Sequence, residues 1–160
     1  MPELLKDRYS EAFVQRLATG LQAAYPPFDQ KAFTASVFDA TWAKRELRDR
    51  MRHFSHCLHR AIPEPYPQQL AVFKKVVWEG QELELMFFPD FVECYGMDDL
   101  ETSLSALEYL TPFASAEFAI RPFLMKYPEA VLQQMIAWSR SPNLDVRRLA
   151  SEGCRPRLPW

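Results

Sequence analysis

At 160 residues, 48% hydrophobic and 14% aromatic, the chain has the composition of one folded domain or one helical-repeat segment, and it is too apolar for a disordered protein. A net charge of −2 excludes a uniformly basic surface, yet residues 140–160 hold five arginines against two acids, a local +3 that would suit a phosphate backbone. The three cysteines (57, 94 and 154) are scattered without a C-x-x-C pair, and no apolar run approaches the ~20 residues that span a bilayer, so a reducing, cytoplasmic setting and no membrane are expected.

There are only four glycines, little β-branched alternation, and prolines that fall between apolar-periodic segments, a pattern of many helices with stiff connections. The first helix is expected over about 5–24, with Leu5, Tyr9, Phe13, Val14 and Leu17 as its buried stripe, ended by Tyr25-Pro26-Pro27. Asp29 is placed to cap a second helix carrying Phe33, Val37 and Phe38. Thr41 is placed to cap a third, about 42–61, with Leu47, Met51, Phe54 and Leu58 inward and a charged face that includes Arg45, Arg48, Arg50 and Arg52. Pro63, Pro65 and Pro67 precede a fourth helix near 68–78, residues 80–84 read as a loop, and 87–95 read as an apolar helix closed by Gly96.

From Met97 the spacing becomes regular. Asp98 and Asp99 start a helix through Leu100, Leu104, Leu107 and Leu110, and Thr111-Pro112 breaks it. Ser115 is placed to cap 117–127, and Pro128 begins a helix with Val131, Leu132, Met135, Ile136 and Trp138. Ser141-Pro142-Asn143 then leads into 145–152. Short helices with short proline breaks predict an all-α fold of stacked antiparallel pairs, an α-solenoid of HEAT type, although a helical bundle reads similarly. Residues 1–96 form its N-terminal part and 97–160 carry its candidate site, as one continuous domain that the sequence predicts to be truncated on its C-terminal side.

The candidate chemistry lies near the end of the chain. Arg148 and Glu152 are i,i+4 on one helix with Arg147 adjacent, and Arg155 and Arg157 alternate with prolines before Trp160. A solvated helix pair is the plainer reading of the first two, and an exposed loop of the next two. Glu117, among Phe113, Phe118 and Phe123, is either a helper to a helix dipole or a partly buried functional acid. About one helix–turn–helix repeat separates Glu117 from Glu152, and in a solenoid equivalent positions line one surface. His53, His56 and His59 share a helix without a completing Glu or Cys, so no metal site is expected, and no phosphate loop or hydrolase signature occurs.

Ser115-Ala116-Glu117-Phe118-Ala119-Ile120-Arg121-Pro122-Phe123, Ser141-Pro142-Asn143, and Val146-Arg147-Arg148-Leu149-Ala150-Ser151-Glu152-Gly153 through Arg155-Pro156-Arg157-Leu158-Pro159-Trp160 resemble the AlkC branch of the AlkC/AlkD DNA alkylation-repair glycosylases. The resemblance is strongest over 97–160 and rests on helical pattern over 1–96. It implies a right-handed superhelix of HEAT-like repeats that acts as a monomer on double-stranded DNA and excises cationic alkylated bases of the 3-methyladenine and 3-methylcytosine class without a cofactor. Carried over residue by residue, Glu117, Glu152 and Trp160 are implied to be catalytic, and Arg147, Arg148, Arg155 and Arg157 to face DNA. The alternative is a non-catalytic HEAT-repeat module binding DNA or protein, or an inactive fragment of the glycosylase. The resemblance itself departs at the end, because family members continue past this motif.

Overall fold

The structure, a computed structural model, describes residues 4–76 and 82–156. Those residues form ten α-helices and two 3-10 turns with no strand among them, so the all-α expectation is met. They group into two compact units, Met1–Phe87 and Phe88–Trp160.

In the first unit a 3-10 turn, Leu5–Arg8, precedes α1, Glu11–Ala24. The expected start at residue 5 is corrected: the Ser10 hydroxyl accepts from the Phe13 amide and begins the α-helix there, leaving Leu5 60% exposed. α2, Gln30–Val37, starts as anticipated, with the Asp29 carboxylate accepting from the Ala32 amide. Thr41 does not cap the third helix. Its amide and hydroxyl both donate to Asp39 at 2.9 Å, residues Trp42–Lys44 form a 3-10 turn, and α3, Leu47–Ala61, begins only after Glu46. Side chains such as Asp compete locally with helix geometry, and here the turn wins.

Arg50, assigned to the exposed charged face, is instead buried. Its guanidinium donates to the carbonyls of Lys6 and Arg45, pairs with Asp7 at 3.2 Å and lies 4.8 Å from the Trp42 ring centroid. These partners satisfy a charge that burial would otherwise penalise. α4, Tyr66–Lys75, and α5, Glu82–Leu85, follow, so residues 82–84 are helical where a loop was expected; Trp78 and Gly80 lie outside the described residues. α1 packs on α2 and α4, and α2 on α3. The core is aromatic: Tyr9, Phe13, Phe33, Phe54 and Phe87 are all at most 2% exposed, with Phe54 in contact with the other four.

The turn that displaced the third helix also sets a pH response. Arg45 donates to both carboxylate oxygens of Asp39, at 2.6 and 2.9 Å, and holds its pKa well below the usual carboxylate range. A depressed folded pKa contributes stability that is complete above the unfolded value of about 3.9 and is lost as pH falls below it. The thermal midpoint of Asp39→Asn is therefore expected to lie below that of the parent at pH 7. The gap should close as pH falls below about 4; a gap that is constant down to pH 2 would contradict the assignment.

The second unit holds the remainder of α6, Phe87–Tyr95, then α7, Leu100–Leu110, α8, Ile120–Lys126, α9, Pro128–Trp138, and α10, Leu144–Glu152. Asp99 caps α7 through the Thr102 amide, and Asn143 caps α10 through the amides of Asp145 and Val146. Ser115 does not cap the following helix: 117–119 are a turn, and α8 starts at Ile120 after Ala119. α7 packs on α8, α8 on α9 and α9 on α10. Val131, Met135 and Trp138 of α9 face the core, whereas Leu132 and Ile136 are exposed.

Candidate active site

The two glutamates reach the site by different routes. Glu117 sits in the turn before α8, where alanines 114, 116 and 119 and Ile120 are buried around it, and the residue itself is only 9% exposed. A carboxylate in such surroundings needs a charged partner. Arg148 of α10 supplies one, with Nε 3.0 Å from Oε1 of Glu117. Glu152, in the last turn of α10, is paired with Arg155, whose Nη1 lies 3.0 Å from Oε2. The i,i+4 spacing of Arg148 and Glu152 thus does not become the ion pair. Each member reaches elsewhere, Arg148 across to the turn before α8 and Glu152 forward into the segment after its own helix.

The α10 end lies tight against its neighbours. Gly153 has an ordinary helical φ of −61°, so it is not needed for its backbone freedom. It is needed for space: a Cβ there would come within 2.7 Å of Ile120 Cγ2 and of the Leu149 carbonyl oxygen, and within 3.1 Å of Met135 Cε. Beyond it, Arg121 of α8 donates to the carbonyls of Arg155 and Pro156, the latter at 3.1 Å. The start of α8 and the end of α10 are thereby held against one another.

Arg147 differs from its neighbour. Its Nη1 donates to the carbonyls of Ser141 at 2.7 Å and Pro142 at 3.0 Å, closing the loop before α10. Arg148 and Arg155 have side chains 57% and 58% exposed, so each guanidinium remains open to solvent on the side away from its glutamate. Arg157 and Trp160 lie outside the described residues. Arg121 was not singled out from the sequence. Its spacing of four from Glu117 was a visible signal, but one that points to a local pair and not to the carbonyls across the repeat.

The histidines are engaged within the fold. His53 Nε2 lies 3.0 and 3.1 Å from the carbonyls of Ser36 and Val37, and His59 Nδ1 lies 3.1 Å from Gln69 Oε1. An open groove of about 820 Å³ in the first unit, between α1 and α2, is lined by residues such as Gln15, Gln22, Gln30 and Lys31. It contains none of the site residues, and its mixed polar lining presents no convergent charge. No helix among the described residues is long and apolar enough to cross a membrane.

Comparison with known proteins gives two results of similar extent. The uncharacterized protein YhaZ of Bacillus subtilis (strain 168) is 38% identical over 156 residues, which cover 98% of this chain and 44% of that protein. The structure of Pseudomonas fluorescens alkylpurine DNA glycosylase AlkC, bound to DNA containing an abasic site analog, matches with a TM-score of 0.91 and 40% identity over 100% of this chain and 45% of that one. The chain thus spans less than half the length of either relative. No family model matches. In its helical fold, and with 40% identity across its whole length, the chain is similar to AlkC, a HEAT-like helical-repeat protein.

Proposed function

We propose that the chain is part of a monomeric DNA glycosylase that hydrolyses the N-glycosidic bond of cationic alkylated bases, of the 3-methyladenine and 3-methylcytosine class, in double-stranded DNA. The observation that carries this reading is the pairing of two glutamates with two solvent-open arginines, in a chain that matches a DNA-bound alkylpurine glycosylase along its whole length.

The chemistry asks for little beyond such a set. Alkylation makes the base a cation, so it departs as a neutral molecule and needs no acid to protonate it. Positive charge grows on the deoxyribose as the bond to the base breaks, giving an oxocarbenium-like transition state. Carboxylates placed in advance stabilise that charge where it develops. In this proposal Glu117 and Glu152 supply the carboxylates, and one of them orients or deprotonates the attacking water. Trp160 adds an aromatic face toward the sugar, an attraction of the cation–π type. Arg148, Arg155 and Arg157 contact phosphates, for which a planar guanidinium is well suited. Arg147 takes a share of that contact through the donors its loop carbonyls leave over.

The test is base release from duplex DNA treated with a methylating agent, using both the 160-residue chain and the complete gene product that contains it. Chromatography is expected to detect 3-methyladenine or 3-methylcytosine released by the complete product well above the uncatalysed background. Binding of the same DNA with no base release would favour the non-catalytic helical-repeat module, and release by the complete product alone would identify the 160-residue chain as an inactive portion.

A further inference from the structure

We infer that Arg121 is a positioning residue of this site: by holding the backbone after α10, it sets where Glu152 and its partner Arg155 stand relative to Glu117. The inference rests on the glycosylase reading and adds to it a residue that contacts neither of the two carboxylates.

A helix end leaves backbone carbonyls without partners, and the chain beyond Gly153 has no further helix among the described residues to occupy them. The Arg121 guanidinium takes two consecutive carbonyls, those of Arg155 and Pro156. The Arg155 amide in turn donates to the Glu152 carbonyl at 3.1 Å, and the Arg155 side chain pairs with the Glu152 carboxylate. Arg121 therefore grips the segment to which Glu152 is tied through both backbone and side chain. It does so from α8, the helix that the Glu117 turn enters. The ion pair of Arg148 with Glu117 makes a second bridge in the opposite sense, from α10 back to the Glu117 turn. The contact of Gly153 with Ile120 makes a third. The bridge from Arg121 lies beyond the last helical turn, where the Cys154 thiol against Met135 Sδ at 2.9 Å also holds the chain but one residue before the Arg155 and Pro156 carbonyls. Two carbonyls met by one guanidinium need its forked, planar donors; a lysine ammonium is a point donor on a flexible stem.

The experiment uses the complete gene product and compares Arg121→Ala and Arg121→Lys with the parent. Single-turnover release of 3-methyladenine, affinity for the methylated duplex and the salt dependence of binding are measured side by side. Release should fall about 10- to 100-fold in Arg121→Ala, the scale on which small misplacements of reacting groups act. Arg121→Lys should recover little of it, although it keeps the charge. Affinity should change by less than about threefold, and the slope of log K against log[salt] should stay as in the parent. A loss of about one from that slope would make Arg121 a phosphate contact and overturn the inference, as would parental release rates in both variants. If Arg121→Ala does not fold, Arg121→Lys carries the same test. Inactive Glu117→Gln and Glu152→Gln beside fully active Arg121 variants would sink this inference alone. Parental activity in the two glutamine variants would instead remove the reading on which it rests.

Discussion

Glu117→Gln is expected to reduce single-turnover release of 3-methyladenine by about 100-fold or more, the loss typical when one preorganised electrostatic group is taken from a transition state. The substitution keeps the size of the side chain and an oxygen that can still accept from Arg148 Nε. It removes the charge. That charge is held in a turn where the residue is only 9% exposed, and with little water to screen it a carboxylate acts strongly on a developing cation. The fold should survive, because the Arg148 side chain, which loses only the charge of its partner, is 57% exposed and can be solvated. Glu152→Gln is expected to act in the same direction. An unchanged melting curve together with lost release would place Glu117 in the chemistry. Parental release by both variants would rule out the pair of carboxylates as the source of the rate.

Phe54→Ala is expected to cost about 3–5 kcal/mol of folding free energy, as large-to-small changes at fully buried aromatic sites do. Phe54 has no exposed surface, and its ring centroid lies 4.7 Å from Phe87, 5.5 Å from Phe33, 5.6 Å from Tyr9 and 6.1 Å from Phe13. Four large rings on three stretches of chain cannot close around a methyl group without each leaving its own packing, so a cavity remains. Domains of this kind are stable by about 5–15 kcal/mol in total, so the loss is a sizeable share. Urea unfolding followed by circular dichroism measures it: the midpoint should drop while the slope holds. A shift equivalent to under about 1 kcal/mol would mean that the cluster collapses without a void, contrary to its packing.

The helices were legible in the sequence wherever one local signal stood without a rival. Asp29, Asp99 and Pro128 each begin or cap a helix as their positions suggest. Thr41 and Ser115 have the same preference for capping, and neither caps. At Thr41 the reason is a competitor two residues upstream, Asp39, which takes its amide and hydroxyl and a guanidinium as well. Arg50 was misplaced for a different reason. Nothing in the spacing of α3 tells that the carbonyl of Lys6, 44 residues back, will receive its guanidinium. The site divides along the same line. Glu117 and Glu152 were visible because a resemblance to a known family pointed at them. The partner of Glu117 could not be read off, since its pairing with Arg148 depends on how the turn before α8 packs on α10, whereas Glu152 and Arg155 are only three residues apart. Residue spacing offered Arg148 to Glu152 and Arg121 to Glu117; in the packed helices Arg148 goes to Glu117, Arg155 to Glu152, and Arg121 to backbone carbonyls.

Gly153 has a practical consequence for anyone seeking a sturdier version of this protein. Exchanging a glycine that has right-handed backbone angles for alanine is a standard way to restrict the unfolded chain and gain stability. By its φ of −61° Gly153 would qualify. The added methyl would press on Ile120, the first residue of the helix entered by the Glu117 turn, and so push apart the two stretches of chain that carry the carboxylates. The clash strains the fold itself, so the exchange should lower the melting temperature where the backbone angle alone would have promised a gain. Libraries built on this protein are better made with position 153 held constant.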